Sequence, residues 1–240
     1  MASFARTVSL IAGTLALLGL AAANTGLVAP LTGFQVCIAG ALLGGLVGVV
    51  LSLIAIVTTR GGRDPVGRQK AWVGLAIGLG LLLAVLAGAS TGGDAPPIND
   101  ITTDLANPPA FASAEVVADY AGRDMSYPAD FVEIVRASYP DLAPLSTDTP
   151  PAETYALALA AAESLGWEIS ARNDAENRFD AKDTTALFRF VDDVTVRVTA
   201  DGTGSRVDVR SKSRDGRGDL GANATRIRAL FEAMASKTAG

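Results

Sequence analysis

Three long apolar runs that themselves carry no charge constrain this chain more than any other feature. Of its 20 basic and 25 acidic residues, only six lie before Gly93. The runs Val8 to Val28, Phe34 to Thr59 and Ala71 to Gly88 each approach the ~20 residues an α-helix needs to cross a bilayer. Residues 1–92 therefore read as a membrane region with three transmembrane helices (8–28, 34–59, 71–88), 93–109 as a linker, and 110–240 as a water-facing domain. Arg60, Arg63, Arg68 and Lys70 crowd the connection between the second and third runs against a lone Asp64. Positive residues stay on the cytoplasmic side, so the expectation is a multi-pass inner-membrane protein with its domain in the periplasm. Two readings of the first run stand open: a retained helix, or a signal peptide cleaved after Ala21-Ala22-Ala23. Both leave the domain outside.

Composition narrows the chemistry. There is no histidine, and one cysteine, Cys37, sits in an apolar run. No His-based triad, no His or Cys zinc site and no disulfide is expected, and neither a cofactor nor a catalytic set is read. A formal net charge of −5 lacks the basic footprint that nucleic acid requires. Gly40, Gly44 and Gly48 recur every four residues, and Gly74 and Gly78 repeat the spacing. Small residues on one stripe let helices approach closely, either within the chain or between copies or subunits.

Beyond the linker the periodicities describe an α+β domain, an antiparallel sheet of about four strands flanked by two helices. A short helix is expected near Ala129 to Ser138. A second opens at Thr149-Pro150-Pro151, with the Thr149 hydroxyl as cap, and closes at Gly166. Alternation marks strands from Trp167, from Arg178 to Thr184, and from Phe188, where Phe188, Phe190, Val194, Val196 and Val198 share one face with Asp192. Asp201-Gly202-Thr203-Gly204 signals a hairpin, after which Val207, Val209, Ser211 and Ser213 continue the apolar face. A two-residue loop at Gly202-Thr203 sets Val198 opposite Val207, Val196 opposite Val209, Arg197 opposite Asp208, Asp193 opposite Lys212 and Asp192 opposite Ser213. The last helix is expected from an Asp219 cap, with Asn223, Ile227 and Leu230 inward.

The densest polar stretch is Arg210 to Asn223, R-S-K-S-R-D-G-R-G-D-L-G-A-N. Two readings apply to it. Asp192, Asp193, Arg197, Asp208, Ser213, Asp219 and Asn223 suit a structural network holding helix to sheet. Arg210, Lys212, Arg214 and Arg217, beside glycine amides, suit an anion or partner site, for which an anionic lipid headgroup, a cell-wall polymer or another envelope protein would serve. A hydrolase using Asp192 or Asp219 with an arginine is a further alternative, as is an accessory subunit packed through the glycine stripes.

The run R-F-V-D-D-V-T-V-R-V at 189–198, with R-V-D-V-R-S-K-S-R-D-G-R-G-D-L-G-A-N-A-T-R-I-R-A at 206–229 and Tyr-Pro-Asp at 139–141, resembles an uncharacterised family of small bacterial and plastid proteins. Its signature is R-S-x-S-R-x-G-x-x-D-L-G-x-N-A-x-R-I. The resemblance implies the α+β domain and an envelope setting, and no activity.

Overall fold

The structure is a computed structural model that describes residues 1–62 and 64–238, the side chain of Thr238 excepted. Arg63, one of the loop cations, and the end of the expected domain at 239–240 lie outside the described residues. The chain divides into two compact units, one of residues 1–93 with 185–189, the other of 94–184 with 190–240.

In the first unit the apolar runs become α1 (Ala2–Asn24), a continuous span made of α2 (Pro30–Ile38), a π-helical segment (Ala39–Gly44) and α3 (Gly45–Thr58), and α4 (Pro65–Ser90). Among the described residues these three are long and apolar enough to cross a membrane. The fourth helix starts earlier than its apolar run because Pro65 occupies the first turn and the Asp64 carboxylate accepts from Gly67 N at 2.7 Å, a side-chain cap. Lys70 Nζ donates to Ser3 Oγ (3.3 Å), so the basic loop and the start of α1 lie at one end of the bundle.

The stripe Gly40, Gly44 and Gly48 meets a stripe of small residues on α1, namely Ala5, Ser9, Ala12, Ala16, Gly19 and Ala23, whereas Gly74 and Gly78 face mainly α3. A methyl group on Gly40 would sit 2.9 Å from both Ala12 O and Ala16 N, and one on Gly44 would sit 2.6 Å from Ala12 Cβ. At Gly48 it would strike Ser9, at Gly74 it would lie 2.6 Å from Ser52 Oγ, and at Gly78 2.9 Å from Gly45 O. Among the described residues both stripes thus pack within the chain, much of it backbone against backbone.

In the second unit six strands among the described residues form one antiparallel sheet, ordered β1 (Asp100–Thr102), β6 (Gly204–Ser213), β5 (Val191–Asp201), β4 (Arg178–Thr184), β3 (Glu168–Asn173), with β2 (Leu145–Thr147) also paired to β6. The expected four strands are the long ones. The two additional strands have three residues each, too short to show a period, and β1 lies within the stretch read as linker. The hairpin register is the one expected, with Val196 opposite Val209, Arg197 opposite Asp208 and Asp192 opposite Ser213. Gly202, at φ +60°, supplies the left-handed step of its turn.

The helices are α5 (Phe131–Ser138), α6 (Pro151–Ser164) and α7 (Ala222–Thr238). Tyr155, Ala158 and Leu159 of α6 and Ile227 and Leu230 of α7 cover Phe179, Val194, Val196, Val198, Val207 and Val209 in one continuous core. Thr149 contributes its carbonyl, accepting from Thr154 Oγ1 (3.2 Å), rather than the capping hydroxyl. The start of α7 is delayed from Asp219 to Ala222 because Leu220 and Gly221 adopt left-handed conformations (φ 53° and 82°). Phe188 is no strand residue: β5 begins at Val191, and the Phe188 ring packs edge-on against Phe34 within the first unit (5.3 Å between centroids).

Because the atoms facing Gly40 are backbone, Gly40→Val should destabilise the bundle by about 1–3 kcal/mol, read as a lower melting temperature in detergent. Gly80 has open space around it, and Gly80→Ala should leave the melting temperature unchanged or slightly raised.

Candidate functional site

Strand alternation puts Asp193, Thr195 and Arg197 of β5 and Asp208, Arg210, Lys212 and Arg214 along β6 on the face away from α6 and α7. That face is roofed by the irregular segment between β1 and α5. The rings of Phe111 and Tyr127 lie against the Arg210 guanidinium, their centroids 4.9 and 5.2 Å from its central carbon. Ala112 N donates to Asp180 (2.7 Å), and Ala110 O accepts from Arg178. Asp193, Asp208 and Arg210 are therefore at most 2% exposed.

Buried charges must be paired, and here they are. Arg210 grips Asp100 of β1 with two bonds, Nε to Oδ1 at 2.9 Å and Nη2 to Oδ2 at 2.7 Å, and donates further to Pro109 O and Ser126 O. Lys212 reaches the same Asp100 carboxylate at 3.1 Å. Arg197 holds Asp208 (2.9 Å) and Asp104 (3.0 Å). Asp193, which sits opposite Lys212 in the register, is instead gripped by Arg214 through two bonds of 2.8 and 2.7 Å, because Asp100 has claimed the lysine. Arg214 also bonds Asp119 (3.0 Å); its hydrogen-bonded carboxylate partners, Asp193 foremost, raise its pKa, and the Arg214 guanidinium in turn lowers that of Asp119.

On the helix side, Arg226 of α7 is the centre. It donates to Asp192 (2.6 Å), Asp183 (2.9 Å), Asn223 Oδ1 (2.9 Å) and Ser211 Oγ (3.2 Å). Asn223 Nδ2 donates to Ser213 Oγ (3.0 Å) and Asn99 O (3.2 Å). Burial pushes the Asp192 carboxyl up, against the pull of Arg226. Asp219 accepts from Gly221 N (2.9 Å) and Asn223 N (2.8 Å) and donates its own amide to Ile98 O (3.2 Å). The helix N-terminus that an anion would need is thus filled by a carboxylate of the chain itself.

The four cations read as an anion site are dispersed by the fold. Arg210 is closed in, Arg214 is locked between carboxylates, and Arg217 is exposed with no ion pair among the described residues. Lys212 and Arg214 instead line a polar pocket of about 280 Å³ with Asn99, Arg123, Asp124, Met125, Asp193 and Ser213. Arg123 comes from the roofing segment and was not singled out from sequence, since a lone arginine in an acidic stretch has no period or spacing to mark it. Its Nε is spent on Asp119 O (3.0 Å), whereas Lys212 spends one donor on Asp100. Both retain donors that can face the pocket. Among the described residues, no group of three or more carboxylate or cysteine side chains is placed to hold a metal ion, and neither Asp192 nor Asp219 lines this pocket.

The fold and site define an α+β domain with a sheet sandwiched between helices and a charge-pinned roof, joined to a bundle of membrane-length helices. The chain belongs to the family described as a protein of unknown function, DUF1499, which matches residues 100–234. That match starts at the carboxylate that pairs with Arg210 and ends at Met234, a buried residue of α7. No curated protein matches the chain.

Two outcomes test the site's physics. Asp100→Ala strands a buried guanidinium and should cost about 3–5 kcal/mol, while Arg217→Ala should change stability by no more than about 0.5 kcal/mol, both read by Trp167 fluorescence during denaturation of the full chain. Asp180, buried with the Ala112 amide on it, has its carboxyl pushed up by burial. A folded-state pKa above the unfolded one means stability that is present at low pH and lost as pH rises through the raised value. Asp180→Asn should remove that part of the decline, so that the variant gains on the wild type as pH rises above the ordinary carboxylate range.

Proposed function

We propose that this chain is a multi-pass inner-membrane protein whose α+β domain faces the periplasm and binds an anionic ligand in the pocket between β6 and the roofing segment. The observation that carries this is the pair of spare cationic donors, Lys212 and Arg123, on one cavity of about 280 Å³. Arg214, held rigid by Asp193 and Asp119, fixes one wall of that cavity and sets its charge. An ammonium and a guanidinium converging on a space of this size suit a phosphate or carboxylate group, each contact being charge-assisted. Asp124 and Asp193 on the same walls restrict entry to ligands that also present a donor, such as a hydroxyl-bearing lipid headgroup or cell-wall polymer.

The orientation rests on charge. Arg60, Arg68 and Lys70 lie at the same end of the bundle as Ser3, and clustered cations mark the cytoplasmic end. An odd number of spans then carries the domain outward. A retained first helix is supported by the small-residue stripe of α1, which receives Gly40, Gly44 and Gly48 and would leave them exposed if it were removed. Binding is favoured over hydrolysis because both carboxylates considered as bases, Asp192 and Asp219, are committed to Arg226 and to the α7 cap.

Native mass spectrometry of the detergent-purified chain titrated with phosphatidylglycerol is the direct measurement. Removing either spare cation, as Lys212→Ala or Arg123→Ala, should weaken retention about tenfold, with Arg217→Ala as the unchanged control. Equal retention by all three variants would overturn the pocket assignment.

A further inference from the structure

The five residues Thr185 to Arg189 lie between two strands of the sheet yet belong to the compact unit of the membrane-length helices. Asn24, the last residue of α1, donates its side-chain amide to two carbonyls of this loop, Ala186 O at 2.7 Å and Leu187 O at 3.1 Å. Phe188 packs edge-on against Phe34 of α2. Arg189 closes the loop with its amide on Thr185 O (3.1 Å) and takes a left-handed conformation (φ 59°) that a non-glycine residue adopts only when its surroundings impose it.

The pinned loop presents a leucine outward. Leu187 is 64% exposed, and in the turn just after Asn24 Leu27 is 81% exposed. Arg189, also exposed, adds a cation. These side chains stand at the end of α1 opposite the basic loop, where apolar helix surface gives way to polar chain. Large apolar side chains with a cation beside them, held at a span's end, are suited to the boundary between acyl chains and headgroups.

We infer that the loop Thr185–Arg189 is a membrane-interface contact, with Leu187 and Leu27 entering the acyl boundary of the outer leaflet and Arg189 meeting anionic headgroups. The inference rests on the membrane-anchored reading above and is independent of the pocket. It assigns the loop an occupant, the bilayer that the adjoining spans occupy, and it gives a use to a conformation at Arg189 that strand pairing does not need.

The test uses the full chain carrying Cys37→Ala, with an environment-sensitive nitrobenzoxadiazole label on Leu187→Cys or, as control, on the equally exposed Leu220→Cys. It is reconstituted into vesicles of phosphatidylcholine with or without phosphatidylglycerol, doped with a lipid carrying a spin-label quencher. The expected result is blue-shifted, quenched emission at position 187 and water-like, unquenched emission at 220. Adding Arg189→Glu should abolish the extra quenching that phosphatidylglycerol produces. Water-like emission at 187 in a chain that floats with the vesicles overturns the loop inference alone; a chain that fails to float, or is stripped from the vesicles by carbonate, overturns the membrane-anchored reading with it. Quenching at 187 that ignores both phosphatidylglycerol and Arg189→Glu overturns the role given to Arg189.

Discussion

The Arg210–Asp100 pair is the contact on which the rest of the domain depends. A guanidinium on the middle of a central strand, on the face without helices, can be buried only if a carboxylate, backbone carbonyls and ring faces all come to it. Asp100 brings β1 to the edge of β6, Pro109 O and Ser126 O bring two points of the roofing segment, and Phe111 and Tyr127 close over the cation. One side chain thereby fixes the path of some thirty residues that have almost no regular structure. Such a pair contributes little net stability against an apolar replacement, since desolvation offsets the attraction. Its consequence is specificity: the irregular segment has one place to lie.

The opposite face follows the same logic with α7. The amide of Asn223 and the guanidinium of Arg226 occupy a polar patch on a largely aliphatic face, formed by Asp192, Ser211 and Ser213. A helix that slid by one turn would leave Asp192 buried without its arginine, so polar satisfaction sets the docking that apolar contact alone would leave loose. In the bundle, where no charge is available for this purpose, the equivalent constraint is size: glycines facing alanines and serine admit one depth and register of approach.

These two devices also decide what is left over for binding. Nearly all cations of the Arg210–Asn223 stretch are consumed by carboxylates from the acidic half of the domain, and the α7 amides by Asp219. The unspent donors, on Lys212 and Arg123, belong to two segments far apart in sequence that meet only because the roof is pinned where it is. A dense charge run marks the neighbourhood of these groups, but local density does not say which charges find partners.

Features that depend on period and on local order are legible in the sequence. Apolar length marked the three helices, alternation marked the long strands, and a two-residue turn with Gly202 set a register in which Arg197 meets Asp208. Asn223 and Asp192 were legible as polar groups that a core must satisfy. Which partners satisfy them is settled by the folded chain. Asp100, in a segment that reads as linker, took both Arg210 and Lys212; Arg214 took Asp193; Arg226 took Asp192; and Phe188, on a strand's apolar period, left for Phe34. Each of these is a contact across at least twenty residues, and periodicity carries no information at that range, whereas burial charges every unpaired polar group enough to force a choice.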